Sequence, residues 1–317
     1  RLALGVASAL ALAGFSLPAQ AESQVTIVST ASVRGETKSC GCKKKDLGGL
    51  DRRATLIDEE RAKGNAVVVV DAGDFGAHQD AEPWMRTEFQ WAMMGEMEYD
   101  AVTPGPNEML FGVDKLKALL ATNPGIKAVS ANVTDKAGNL LLPEYVVVER
   151  GGARIGITGV TDGALYAFNK TRGLQHVDDF AFQDVRESIQ RVLPKMKAEA
   201  DVVVVLLHAS PADAKRIAEA VPGMDVVVVG HNPGYTFAPE RVGQTLLVRP
   251  GARGQYTAFL TLTLDADGGI LDYDGRSTPV GKSVAVHKTF ETKINDFEAK
   301  YENVTGAPKK THDEDTD

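Results

Sequence analysis

Four short runs of apolar residues limit what this chain can fold into: Val25–Val28, Ala66–Asp71, Asp201–Leu207 and Met224–Val229. All are rich in valine, and none alternates with polar residues as a strand with one wet face would. Runs of this kind read as strands covered on both faces. Helical patterns lie between them, with Leu50, Ala54, Leu56 and Ile57 on one apolar side, and with Val185, Ile189, Val192 and Leu193 on another. Val113–Thr122 and Pro211–Ala220 are further helices, and Ala128–Val133 a further strand. Tyr145–Glu149 and Ala153–Thr158 form a hairpin around Gly151-Gly152. The last third changes character: Thr245–Val248, Tyr256–Leu264 and Ile270–Tyr273 are successive extended runs. Alternation first and a strand meander later predict an α/β protein with two sheets and helices on their outer faces.

The ends of the chain read differently. Residues 2–17 are apolar and rich in small residues, and Ala19-Gln20-Ala21 closes them like an Ala-x-Ala cleavage site. This is the pattern of a secretory signal peptide, so the mature protein is expected to begin at Glu22 and to work in the periplasm or outside the cell. What remains suits one large domain over residues 22–277, followed by a polar helix from His287 to Asn303 and a disordered charged tail within residues 278–317. The formal net charge is −8. That is an ordinary acidic protein and argues against a nucleic-acid binder. After cleavage of the leader, no membrane association is expected.

Polar residues suited to chemistry stand at the carboxyl ends of successive strands: Gly73-Asp74, Gly105-Pro106-Asn107-Glu108, His208 and His231. In a parallel sheet such positions converge on one edge. Asp74, His208 and His231 are the candidate metal ligands, for one divalent ion such as zinc, manganese or iron. Asn107 is a candidate catalytic residue beside them.

The longest connection, Ser29–Arg53, leads to the same edge. It carries both cysteines, as Cys40-Gly41-Cys42, among Lys38, Lys43, Lys44 and Lys45. A connection of this length without structure of its own is uncommon unless it is functional. A disulfide across one residue closes a tiny, strained loop, so the pair reads as reactive or metal-binding more than structural. Cys40 and Cys42 are therefore candidate catalytic residues, and Arg34 and Lys43 candidate substrate-binding ones. No Cys-x-x-Cys-His occurs, so no covalent haem is expected.

From Val25 to about Tyr273, including Pro250-Gly-Ala-Arg-Gly-Gln-Tyr256, this pattern resembles the 5′-nucleotidase and UDP-sugar hydrolase branch of the calcineurin-like metallophosphoesterases. The resemblance implies an α/β/β/α sandwich, two mixed sheets face to face flanked by helices. It also implies two metal ions bridged by an aspartate, at the position of Asp74, with His208 and His231 as further ligands. The family's Asp-x-His reads Ser32-Val33-Arg34 here, its Gly-Asn-His-Glu reads Gly105-Pro106-Asn107-Glu108, and the position two after His231 is Pro233. A standard two-metal hydrolase is therefore not expected. Nor is the family's second, base-stacking domain expected within this length of chain. The Cys-Gly-Cys insertion resembles a subgroup of exported nucleotidase-like proteins, some carrying selenocysteine, found beside multihaem cytochromes.

Three functions follow. The first is an exported thiol redox protein on a degenerate scaffold, with the lysines lowering the thiol pKa and a periplasmic redox partner such as a multihaem cytochrome. The second is a phosphoester hydrolase acting on a small-molecule substrate, with one metal on Asp74, His208 and His231. The third is a non-catalytic module in which Cys40, Cys42, His208 and His231 hold an ion.

Overall fold

The computed structural model describes residues 23–306, apart from residues 79, 172–175 and 232. The leader-like segment at residues 1–21 and the charged tail at residues 309–317 lie outside the described residues. The chain enters through β1 (Ser23–Thr30), and the long connection leads into α1 (Leu50–Ala62) and β2 (Ala66–Asp71). Then come α2 (Pro83–Glu96), β3 (Ala101–Val102), α3 (Pro106–Met109), α4 (Val113–Ala121) and β4 (Lys127–Ala128). The next strands are β5 (Val133–Thr134), β6 (Tyr145–Arg150) and β7 (Ala153–Thr161). They are followed by α5 (Gly163–Thr171), β8 (Ala181–Phe182), α6 (Val185–Glu199), β9 (Val202–His208), α7 (Pro211–Ala220) and β10 (Val226–Val229). A meander of β11 (Glu240–Val242), β12 (Thr245–Val248), β13 (Tyr256–Leu264) and β14 (Ile270–Pro279) ends in α8 (Lys288–Thr305).

Two six-stranded sheets result, ordered β14-β13-β1-β2-β3-β4 and β11-β12-β10-β9-β7-β6. Both are mixed. Strands β1 to β4 run parallel, β13 pairs antiparallel with β1, and β14 pairs antiparallel with β13. In the second sheet β7, β9, β10 and β12 are parallel, and β6 and β11 close its edges antiparallel.

The valine runs are uniformly apolar because each strand has two dry faces. Val202, Val204 and Leu206 of β9 point into the core between the sheets, with Val25, Ile27, Val68 and Val70 of the facing sheet. Their neighbours Val203, Val205 and Leu207 point outward onto Ile189, Val192 and Met196 of α6 and Ile217 of α7. On the other outer face, Val67, Val69 and Phe259 pack on Leu50 and Ile57 of α1, Trp91 and Met94 of α2, and Phe290 and Ile294 of α8. The four-layer sandwich expected from the sequence is therefore the observed fold.

Two local expectations change. The strand expected over Ala128–Val133 is broken, because this stretch hands the chain from one sheet to the other. The Val129 amide donates to Val102 of the first sheet, and the Ala131 amide to Gly159 of the second. The terminal helix, expected to be simply polar, buries a stripe of Phe290, Ile294, Phe297 and Tyr301. It is further tied down by Glu298, which pairs with Arg86 of α2 at 2.7 Å and accepts from Thr37.

Candidate metal centre

The carboxyl ends of β1, β2, β9 and β10 meet at one edge of the sandwich, where backbone bonds stitch the following turns together. Ser32 donates its amide to Gly73 and its hydroxyl to the Gly230 carbonyl, and the Arg34 amide donates to the Asp74 carbonyl. The Arg253 amide reaches back to Ser32 at 2.8 Å. Ser32, Arg34, Asp74 and Arg253 all have positive φ, between 49° and 59°. Such conformations cost on the order of 1–3 kcal/mol each and gather where the surroundings over-determine them. Glycine is required for the close approach: a Cβ on Gly230 would lie 2.2 Å from the Ala72 carbonyl, and one on Gly105 2.5 Å from Asp74 Oδ1.

Into this edge project Asp74, His208 and His231, whose candidate ligand atoms all lie within 4.8 Å of one another. His208 is fully buried, and its Nδ1–H donates to the Ala72 carbonyl at 2.7 Å. That bond fixes the ring and turns Nε2 towards Asp74, the backing commonly found behind a metal-ligating histidine. Asp74 Oδ1 accepts from the Asn107 amide at 2.9 Å, leaving Oδ2 to face both histidines. Oδ2 stands 3.4 Å from His208 Nε2 and 3.8 Å from His231 Nδ1.

These separations are long for hydrogen bonds, whose N···O distances centre near about 2.9 Å. They suit two ligands of one ion, since atoms about 2.0–2.1 Å from a tetrahedral centre lie about 3.3 Å apart. His208 Nε2 is moreover buried without a hydrogen-bond partner. A buried acceptor of this kind is costly unless something occupies its lone pair. One carboxylate and two imidazoles also form the donor set that zinc and neighbouring divalent ions accept. The residues present therefore fit a single divalent metal ion.

Charge within the centre is polarised. Burial alone would raise the Asp74 carboxyl, but His208, then His231 and the Asn107 amide outweigh it and hold Asp74 well below the usual carboxylate range. Burial would lower His208, yet facing Asp74 leaves it raised overall.

The other residues singled out in the sequence lie at graded removes. Asn107 positions the cluster: its backbone amide binds Asp74 and its side-chain amide donates to the Gly76 carbonyl at 2.9 Å. Arg34 is half-buried on the turn bonded to Asp74. Cys40, Cys42 and Lys43 lie on a hairpin closed by the Ser39–Gly48 bridge, with Cys42 and Lys43 exposed. The foot of that hairpin adjoins the edge, where a Cβ on Gly48 would sit 3.5 Å from the Arg253 carbonyl. Among the described residues neither cysteine joins a metal-ligating cluster, so the four-ligand set of Cys40, Cys42, His208 and His231 does not form.

Cys40 and Cys42 are free thiols in this structure. The Cys42 amide points at Cys40 Sγ at 3.4 Å. Slight burial would raise the Cys40 thiol, but hydrogen bonds from Cys42 and from the backbone at Leu47 bring it below its ordinary value. Cys42 is raised, chiefly by Cys40. Hydrogen bonds, not the neighbouring lysines, set the asymmetry.

Glu108 was named in the sequence only as part of the Gly105–Glu108 turn, with no role of its own. It is fully buried, and its two oxygens accept from the backbone amides of Gly105, Asp74 and Gly76 at 2.7, 3.1 and 2.6 Å. Burial, then the nearby Asp74 charge, push it up to about 8. The signal was present as a glutamate three residues into a glycine-started helix, the spacing of a capping box.

Comparison with known proteins agrees with this fold. Residues 46–235 match the family model described as calcineurin-like phosphoesterase. The snake venom 5′-nucleotidase of Crotalus adamanteus is 26% identical over 282 residues, covering 81% of this chain and 47% of that protein. The chain thus spans about half the length of the curated relatives it matches. Among solved structures, the 5′-nucleotidase precursor of Thermus thermophilus superposes with a TM-score of 0.77 at 23% identity, over 88% of this chain and 59% of that one. The calcineurin-like phosphoesterase YfkN of Bacillus subtilis gives a TM-score of 0.75 at 21% identity, over 90% of this chain and all of that one. The match spans more than half of the sequence and takes in Asp74, His208 and His231, and on that ground the chain belongs to the calcineurin-like phosphoesterase family.

Proposed function

We propose that the protein is an exported hydrolase of phosphoesters that works with one divalent metal ion, held by Asp74, His208 and His231. The observation that carries this reading is the buried, unpartnered His208 Nε2 facing Asp74 Oδ2 at 3.4 Å. When bound, such an ion polarises a phosphoryl oxygen and lowers the pKa of a coordinated water. The chain's own residues do the rest. Ala72 and Asn107 fix the orientation of His208 and Asp74 through the bonds described above. Arg34, on the turn bonded to Asp74, supplies fixed positive charge for an anionic substrate. Ser32 and Arg34 replace the acidic and imidazole ligands that the resemblance places there, so one ion per chain is expected and catalysis slower than in a two-metal enzyme.

The test is release of inorganic phosphate from nucleoside and sugar monophosphates by protein loaded with zinc, manganese or iron(II). Metal-dependent turnover in the parent chain, lost in Asp74→Asn, supports the reading. Absence of turnover with every metal in the parent chain overturns it.

The lowered Cys40 thiol and the Cys42 amide pointed at its sulfur at 3.4 Å favour a second reading, thiol redox exchange with a periplasmic partner such as a multihaem cytochrome. Oxidation of the pair to a disulfide would deliver two electrons to the partner and release two protons. Reversible disulfide formation by Cys40 and Cys42, followed by mass change under oxidant and reductant, tests it. A pair that stays reduced under mild oxidant removes it.

A further inference from the structure

The hairpin that carries Cys40 and Cys42 is held more firmly than a connection between β1 and α1 requires. Ser39 bridges Gly48, the Cys40 amide donates to the Leu47 carbonyl at 2.8 Å, and the Gly41 amide donates to Asp46 Oδ1 at 2.8 Å. Asp46 is in turn paired with Arg52 of α1 at 3.4 Å. The tip is therefore pinned back to the helix, although Cys42 and Lys43 to Lys45 are exposed.

Between the cysteines Gly41 takes a φ of 69°, a left-handed conformation that glycine adopts without strain and that turns the chain back sharply. Each sulfur consequently faces the other cysteine's backbone. The Cys42 amide points at Cys40 Sγ at 3.4 Å, and Cys42 Sγ lies 3.9 Å from the Cys40 carbonyl. An amide aimed at a sulfur favours the thiolate, which is the form that binds metals.

The donor set decides which ion fits. Among the described residues no histidine or carboxylate joins the two sulfurs in a three-ligand cluster. Zinc, which takes four ligands at structural sites, is therefore poorly served. Soft thiolates select copper(I), and a closed-shell monovalent ion of that kind is satisfied by two sulfurs in line. Two thiolates around one such cation keep a net negative charge. The exposed Lys38, Lys43, Lys44 and Lys45 surround it with positive charge.

We propose that Cys40 and Cys42 form a second metal site, apart from the Asp74 centre, which chelates a single soft monovalent cation of the copper(I) type. Loading breaks two S–H bonds, forms two sulfur–metal bonds and passes both protons to solvent. The Cys40 proton, donated to the Lys45 carbonyl at 3.1 Å, is one of those displaced. No electron moves, so the site is distinct from disulfide exchange.

The test is anaerobic titration of the protein with copper(I) against a coloured copper(I) chelator, with the ion's neighbours read by X-ray absorption. One ion per chain with two sulfur neighbours is expected. Cys40→Ser and Cys42→Ser should each weaken binding by at least about a hundredfold, because a lone thiolate loses the gain from chelation. Both residues stand on a surface hairpin, so both variants should fold, which circular dichroism checks. Asp74→Asn should bind copper(I) as the parent chain does. Absence of binding overturns the proposal, as do nitrogen neighbours around the ion, an ion shared between two chains, or undiminished binding by Cys42→Ser. Loss of copper in a folded Asp74→Asn overturns it too, since the ion would then belong to the Asp74 centre. None of these readouts depends on phosphate release or on disulfide formation.

Discussion

Asp74 Oδ2 faces His208 Nε2 across 3.4 Å with no hydrogen bond formed by that nitrogen, although both side chains are buried. The pair is held from behind, His208 by the Ala72 carbonyl and Asp74 by the Asn107 amide. An arrangement fixed from outside and open within is one prepared for a cation.

Metal stoichiometry checks that arrangement without reference to activity. The parent chain, dialysed against zinc and then buffer, should keep one ion per chain. His208→Ala should weaken retention by at least about tenfold, since it removes one of three ligands. A variant that retains one ion as tightly as the parent would remove His208 from the ligand set.

Glu108 should prove a keystone of the turn. Glu108→Ala leaves the amides of Gly105, Asp74 and Gly76 without their acceptor. Each buried donor so stranded costs about 1–3 kcal/mol, so a loss of at least about 3 kcal/mol is expected in urea unfolding. A change below about 1 kcal/mol would show that the turn holds itself.

Glu298 links α8 to α2 and to the start of the cysteine connection through Arg86 and Thr37. Burial raises its carboxyl, but Arg86 and Thr37 outweigh this and leave it below its ordinary value. A carboxyl depressed in the folded state stabilises fully above its unfolded pKa and loses that contribution as pH falls through the folded value. Glu298→Gln should therefore cost about 2 kcal/mol at about pH 7, and the gap from the parent should shrink below about pH 4.5. A gap that stays constant down to about pH 3 would contradict the ionic assignment.

The two thiols should differ in reactivity. Iodoacetamide should label Cys40 at lower pH than Cys42, because hydrogen bonds favour the Cys40 thiolate and that thiolate disfavours a second beside it. Replacing Cys42 with Ala removes the chief stabilising bond and should shift Cys40 labelling to higher pH. Equal labelling profiles in the parent chain, read by mass spectrometry, would refute the asymmetry.

The sequence by itself determined the layers. Uninterrupted valine runs admit only strands covered on both faces, and helices at the α-helical spacing supply the cover. It also determined that Asp74, His208 and His231 belong together, because residues just beyond parallel strands share an edge. The stripe Phe290, Ile294, Phe297 and Tyr301 was legible too, at helical spacing, although the charged residues around it made α8 look merely polar. Tertiary structure alone decided the rest, since it depends on contacts between segments far apart in the chain. Nothing near Cys40 announces that it and Cys42 stand on a separate hairpin, outside the reach of His208 and His231. Nothing local to Ala128–Val133 says that the strand breaks where one sheet passes it to the other. Asn107 looked like a reacting group, and only the packed turn shows its amide spent on Asp74 and its side chain on Gly76. The succession of strands and helices follows from local pattern, whereas their pairing into sheets and the partner of a polar atom are fixed only when the layers close.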